Sequence, residues 1–122
     1  MTSDVEASGA IASVLKTLPR RIKVGAYDWR IKIDTEPSED YGETDFDKAE
    51  ITIWPANHQS PERLVGTVIH ELLHVLYGEE EKTGAALGEE AIVVSFETGL
   101  VSLFRDNPKL LNWIKRGLKK SP

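Results

Sequence analysis

Cysteine is absent from the 122 residues, which excludes a disulfide framework and any thiolate-ligated metal. That absence fits a reducing compartment. Histidine is scarce, with three in the chain, and aromatic residues make up 7%. No apolar run is long enough for a membrane span. The stretch around Ile11, Val14, Leu15 and Leu18 is short and polar, and it lacks the basic start of a secretory signal. A cytoplasmic protein with no membrane partner is expected. Positive charge is also in deficit: 15 Lys and Arg against 20 Asp and Glu leave a net charge of −5. Nucleic-acid binding is therefore not the expected task, because phosphate contacts call for a basic face. The C-terminal end runs the other way, with Lys109, Lys115, Arg116, Lys119 and Lys120. It reads as a solvated helix face, open to weak contact with an acidic partner.

What is there suits one domain over residues 1–122, with 40% hydrophobic and 29% charged residues. Residues 1–4 are expected to be disordered, and roughly 5–18 to form a short helix that Pro19 ends. In RIKVGAYDWRIKI, Ile22 and Val24, then Trp29, Ile31 and Ile33, alternate with polar residues, which predicts a hairpin. Residues 34–40 are an acidic loop containing Pro37. YGETDF, a turn at Asp47-Lys48 and AEITIW predict a second hairpin with Ile51 and Ile53 facing the core, stopped by Pro55. Ser60-Pro61-Glu62 has the features of a helix start, and the helix is predicted to reach about Tyr77 with Gly78 as its C-terminal cap. A flexible connection follows to Gly88. A second apolar helix then carries Ile92, Val93, Phe96, Leu100, Leu103 and Phe104. Asn107-Pro108 opens a last amphipathic helix with Leu110, Leu111, Ile114 and Leu118. The expected class is α+β, with a small antiparallel sheet of three or four strands and helices after it.

The most specific segment is His70-Glu71-Leu72-Leu73-His74, inside the apolar run TVIHELLHVLYG. On a helix, positions i and i+4 point the same way, so His70 and His74 can offer two ring nitrogens to one tetrahedral ion. Glu71 lies about 100° around the helix, beside that ion. Two neutral ligands and a neighbouring carboxylate are what metal-assisted hydrolysis needs, and this donor set favours zinc. A histidine on an apolar helix is ordinarily a satisfied core residue. Here, though, two of three histidines fall in register with a Glu after the first. The helix is expected to bury Leu64, Val65, Val68, Ile69, Leu72, Leu73 and Leu76, while Gly66 and Thr67 leave space over the rings.

A catalytic zinc needs three protein ligands and an open position. A third histidine could only be His58. The metzincin position, six residues after the second histidine, holds Glu80. By elimination the third ligand is expected to be an acid on the next apolar helix, Glu89 or Glu90, with Glu97 as a weaker candidate. Periodicity favours Glu89, which lines up with Val93, Phe96 and Leu100; either acid could equally be a first-turn residue stabilised by the helix dipole. Tyr77, one turn past His74, is the candidate extra donor to a developing oxyanion; His58 and Tyr41 are others.

Over roughly residues 20–108 the chain resembles small phage- and prophage-encoded HExxH metallopeptidases of gluzincin type, distantly similar to ImmA/IrrE-type and thermolysin-type zincins. HELLH is the specific part. Glu90-Ala91-Ile92, beginning sixteen residues after His74, resembles the Glu-Ala-apolar start of the ligand-bearing second helix in thermolysin-like gluzincins, and Arg105-Asp106-Asn107-Pro108 closes that segment. The resemblance favours Glu90 as third ligand. It implies a zinc metallopeptidase with Glu71 as general base and a polypeptide substrate, working in the host cytoplasm if phage-encoded. The strand AEITIW would run along the cleft as the substrate-pairing edge. Gluzincins often carry a second acid four residues after the ligand Glu; that position here is Val94. The alternative is a metal-binding interaction or structural module, catalytically weak or inactive. A helical scaffold without metal is the third reading.

Overall fold

A computed structural model describes residues 2–83 and 88–119, with side chains described for 9–78, 88 and 91–119. The elements run α1 (Thr2–Thr17), β1 (Arg21–Val24), β2 (Tyr27–Ile33), β3 (Gly42–Asp45) and β4 (Glu50–Ile53). A single 3-10 turn (Pro55–Asn57), α2 (Pro61–Thr83), α3 (Gly88–Asp106) and α4 (Pro108–Leu118) follow. The class is α+β, as the pattern implied. Helix α1 opens at Thr2, earlier than the expected start near residue 5. Among the described residues no helix is long and apolar enough to cross a membrane.

Both hairpins form. Strands β1 and β2 pair antiparallel around Gly25-Ala26, with Val24 opposite Tyr27. Gly25 has φ 60°. A positive φ at the first central position alone is the pattern of a type II′ turn, which matches strand twist and suits glycine. Strands β3 and β4 pair antiparallel, and Asp45 Oδ1 accepts a bond from the Lys48 backbone N–H at 3.2 Å within their turn.

The sheet is not purely antiparallel, however. Its order is β1-β2-β4-β3, with β2 and β4 parallel. The loop 34–41 carries the chain past the β4 position, so the second hairpin docks with β4 inward and β3 at the edge. The residues explain the choice. Ile31 and Ile33 of β2 lie opposite Ile51 and Ile53 of β4, which joins the most apolar strands at the centre. The short polar strand GETD takes the exposed edge, where unpaired backbone groups meet water. Strand β4, expected along the cleft as an edge, is therefore interior; β3 has that place.

Helices cover one sheet face. Ile22, Trp29, Ile31, Ile51 and Ile53 pack there with Leu64, Val65, Val68, Leu72 and Val75 of α2, and with Leu103, Leu110 and Trp113. Leu73, expected inside, is 36% exposed. Helix α2 starts as predicted: Ser60 Oγ accepts from the Arg63 N–H at 3.3 Å. It does not end at Gly78. The chain continues as helix to Thr83, and Gly78 serves packing instead, since a Cβ there would collide with the ring of Phe46. The free edge of β1 is closed by Asn107, between α3 and α4. Its Oδ1 accepts from the Lys23 N–H at 2.9 Å, and its Nδ2 donates to Lys23 O at 2.7 Å and Leu103 O at 2.8 Å.

Candidate metal centre and its cleft

Helix α2 carries the motif with two faces in different surroundings. His70 and His74 lie on the solvent side, the His70 side chain 66% exposed, and their Nε2 atoms stand 3.2 Å apart. Two nitrogens bound about 2.0–2.1 Å from one tetrahedral ion lie roughly 3.3–3.4 Å apart. The observed pair is therefore set close to chelating separation. The same distance suits an N–H···N bond between neutral rings, which an entering ion would replace. Two convergent imidazoles open to solvent are donors of a type that zinc takes.

Glu71 lies on the neighbouring face of the helix, under the sheet edge, and is 6% exposed. Its Oε1 accepts a hydrogen bond from Thr44 Oγ1 at 2.8 Å, and its Oε2 lies 4.0 Å from His70 Nε2. Strand β3 approaches this closely because residue 42 is glycine: a Cβ there would sit 2.9 Å from Thr67 Cγ2 and 3.3 Å from Glu71 Oε2. A cleft of about 590 Å³ opens beside the pair, lined by Arg63, Gly66, Thr67, His70 and Glu71 of α2 and by residues 39–42 across from them. That opposite wall is tied down. Asn57 Nδ2 donates to the carbonyls of Ser38 (2.8 Å) and Asp40 (2.6 Å).

His58 also lines the cleft, but its ring is fully used. Nδ1 lies 3.0 Å from Trp54 O, which can only accept, so Nδ1 carries the proton; Nε2 then accepts from Thr67 Oγ1 at 2.8 Å. Burial pushes its pKa below 6.5, opposed in part by the backbone carbonyls of Trp54 and Pro55. With both nitrogens engaged, His58 is a structural residue tying the turn before α2 to the helix. Tyr41 packs edge-on against it, ring centroids 5.4 Å apart. Thr67, expected only to leave room, has this specific partner; Gly66 is the residue that opens space, with nothing within 4 Å of a built Cβ.

Tyr77 stacks on Phe96 of α3, centroids 6.4 Å apart, and does not line the cleft. The side chains of Glu89 and Glu90, the two candidate third ligands, lie outside the described residues. Among the described residues no group of three His, Asp or Glu gathers for an ion. The phase of α3 differs from the one expected. Ile92 and Phe96 are half-buried, whereas Val93, on which the periodicity argument for Glu89 leaned, is 53% exposed, and Glu97 is exposed. Thr44, Gly42 and Asn57 had gone unnoticed in the sequence. They act across 27, 29 and 17–19 residues of chain, and no local pattern marks such pairs.

No family model, curated protein or solved structure matches the chain.

Proposed function

We propose that the protein is a zinc-dependent metallopeptidase acting on polypeptides. His70 and His74 would hold the ion together with an acid from the start of α3, Glu90 by the resemblance, with Glu89 as its neighbour. Bound zinc would supply a Lewis acid that makes water nucleophilic at neutral pH and stabilises an oxyanion. Glu71 would take the proton from the attacking water and pass it to the departing amine. The observation that carries the reading is the 3.2 Å Nε2–Nε2 separation beside a buried, oriented carboxylate at the mouth of a cleft. The cleft's shape supports an extended substrate. Strand β3 borders it, and its outer backbone has no strand partner among the described residues, so a peptide could add there by main-chain bonds.

Metal analysis of protein purified without added zinc is expected to find about one equivalent of zinc. Glu71→Gln should keep that zinc and lose peptide cleavage. A variant that cleaves at the wild-type rate ends the peptidase reading, and protein free of metal ends both metal-based readings.

A metal-binding interaction module is the second reading. It is favoured by apolar side chains left at the surface near the motif helix: Leu73 and Tyr77 of α2, with Val93, Val94 and Val101 of α3. It expects zinc, no cleavage by the wild type, and no effect of Glu71→Gln on biological activity.

A further inference from the structure

We infer that Thr44 is a positioning residue for Glu71, holding Oε1 so that Oε2 is the oxygen that accepts the proton; this rests on the peptidase reading above. The helix-facing side of the sheet is built in rows. Ile31 lies opposite Ile51, which lies opposite Thr44; Ile33 lies opposite Ile53, which lies opposite Gly42. Each row is isoleucine until the last strand. There it changes to a hydroxyl and to a missing side chain, at the two places where α2 brings Glu71 against the sheet. Gly42 admits the carboxylate, and a Cβ in its place would meet Glu71 Cγ at 3.1 Å. Thr44 then donates to Oε1 at 2.8 Å. Its longer contact, 3.4 Å to the Glu71 carbonyl, ties the same hydroxyl to the helix backbone at that residue.

With Oε1 engaged, Oε2 is the oxygen nearer the metal-binding rings, 4.0 Å from His70 Nε2. In the reaction a water O–H bond breaks and its proton goes to Oε2 while the water oxygen bonds to the carbonyl carbon. The proton then passes from Oε2 to the amine nitrogen as the C–N bond breaks. Thr44 touches neither water nor substrate in this scheme. Its effect is on which oxygen faces them, and strand β3 would carry both this brace and, on its outer edge, the substrate.

Thr44→Val keeps the β-branched shape and deletes the donor; Thr44→Ser keeps the donor. With zinc loaded and a mixed-sequence peptide library as substrate, Thr44→Val is expected to lose kcat on the order of ten- to a hundredfold. Its KM and its affinity in a zinc titration should be unchanged, and Thr44→Ser should regain most of the rate. A Thr44→Val variant with wild-type kcat overturns the inference. So does one whose KM rises and whose zinc affinity falls in step with the loss of kcat, because a purely structural residue would behave that way. A second measurement needs no catalysis. In metal-free protein, the melting-temperature losses of Thr44→Val and Glu71→Ala should be less than additive in the double variant. Additive losses overturn the contact itself. Non-additive losses with no cleavage by the wild type overturn the peptidase reading, and with it the catalytic meaning of the brace.

Discussion

Glu71 and His58 line the same cleft, and both are buried, yet their hydrogen bonds give them different consequences. His58 is held neutral between Trp54 O and the Thr67 hydroxyl, and burial lowers its pKa below 6.5. A histidine with a lowered folded-state pKa binds its proton more readily when the chain is unfolded. Between the folded pKa and 6.5 the unfolded state holds the extra proton, so stability rises with pH across that window. The contribution is complete above about pH 6.5 and is lost as pH falls through that value toward the folded pKa. Metal-free protein is therefore expected to lose melting temperature between about pH 7.5 and about pH 5.5. His58→Gln, which can donate to Trp54 O and accept from Thr67, should lose less. Equal acid sensitivity in the two proteins would assign the effect to other groups. At this scale the sequence revealed that His70 and His74 stand side by side, because i, i+4 spacing is a local property. It left open whether His58 was a ligand or an anchor, since that depends on partners four and nine residues away in a turn of unforeseen shape.

Among the elements, the joint between α3 and α4 does more than break a helix. The side-chain amide of Asn107 replaces a missing strand at the β1 edge, with three hydrogen bonds to Lys23 and Leu103. Asn107→Ala is expected to cost about 1–3 kcal/mol. Denaturant unfolding would measure the loss, and faster hydrogen exchange at the Lys23 amide would locate it. Wild-type stability together with unchanged exchange at Lys23 would show that the edge does not depend on this residue. The strands themselves were readable from alternation, and α2 from its hydroxyl cap and proline. Their arrangement was not. Nothing local says that the second hairpin should dock in reverse, because the pairing of Ile31 with Ile51 spans twenty residues and is decided by packing. Gly78 misled for a similar reason. Glycine after an apolar helical run usually marks a helix end, but here the ring of Phe46 needs the space. Helix α3 was identified as a helix while its phase was misjudged, since exposed valines at 93, 94 and 101 blur the apolar stripe.

Across the whole molecule, charge is strongly segregated. Residues 107–122 contain five cations and no carboxylate, so the preceding chain holds all 20 acids against ten cations. An acidic surface of this kind attracts divalent ions loosely, which makes a site-specific test of zinc necessary. Zinc bound at His70 and His74 would, at about a hundred times its Kd, add about 2.7 kcal/mol to stability and raise the melting temperature on the order of 10 °C in a domain of this size. His70→Ala and His74→Ala remove exposed side chains, so the metal-free melting temperature should hardly change while the zinc-induced rise disappears. A rise that survives in the double variant would move the ion elsewhere on the acidic surface. The brace on Glu71 has a thermodynamic corollary. A glutamate side chain gives up roughly 1.5–2 kcal/mol of rotamer freedom when it is immobilised. Here that loss falls within the folding of the domain, offset by the isoleucine rows beside it, so an arriving peptide would find the carboxylate already still.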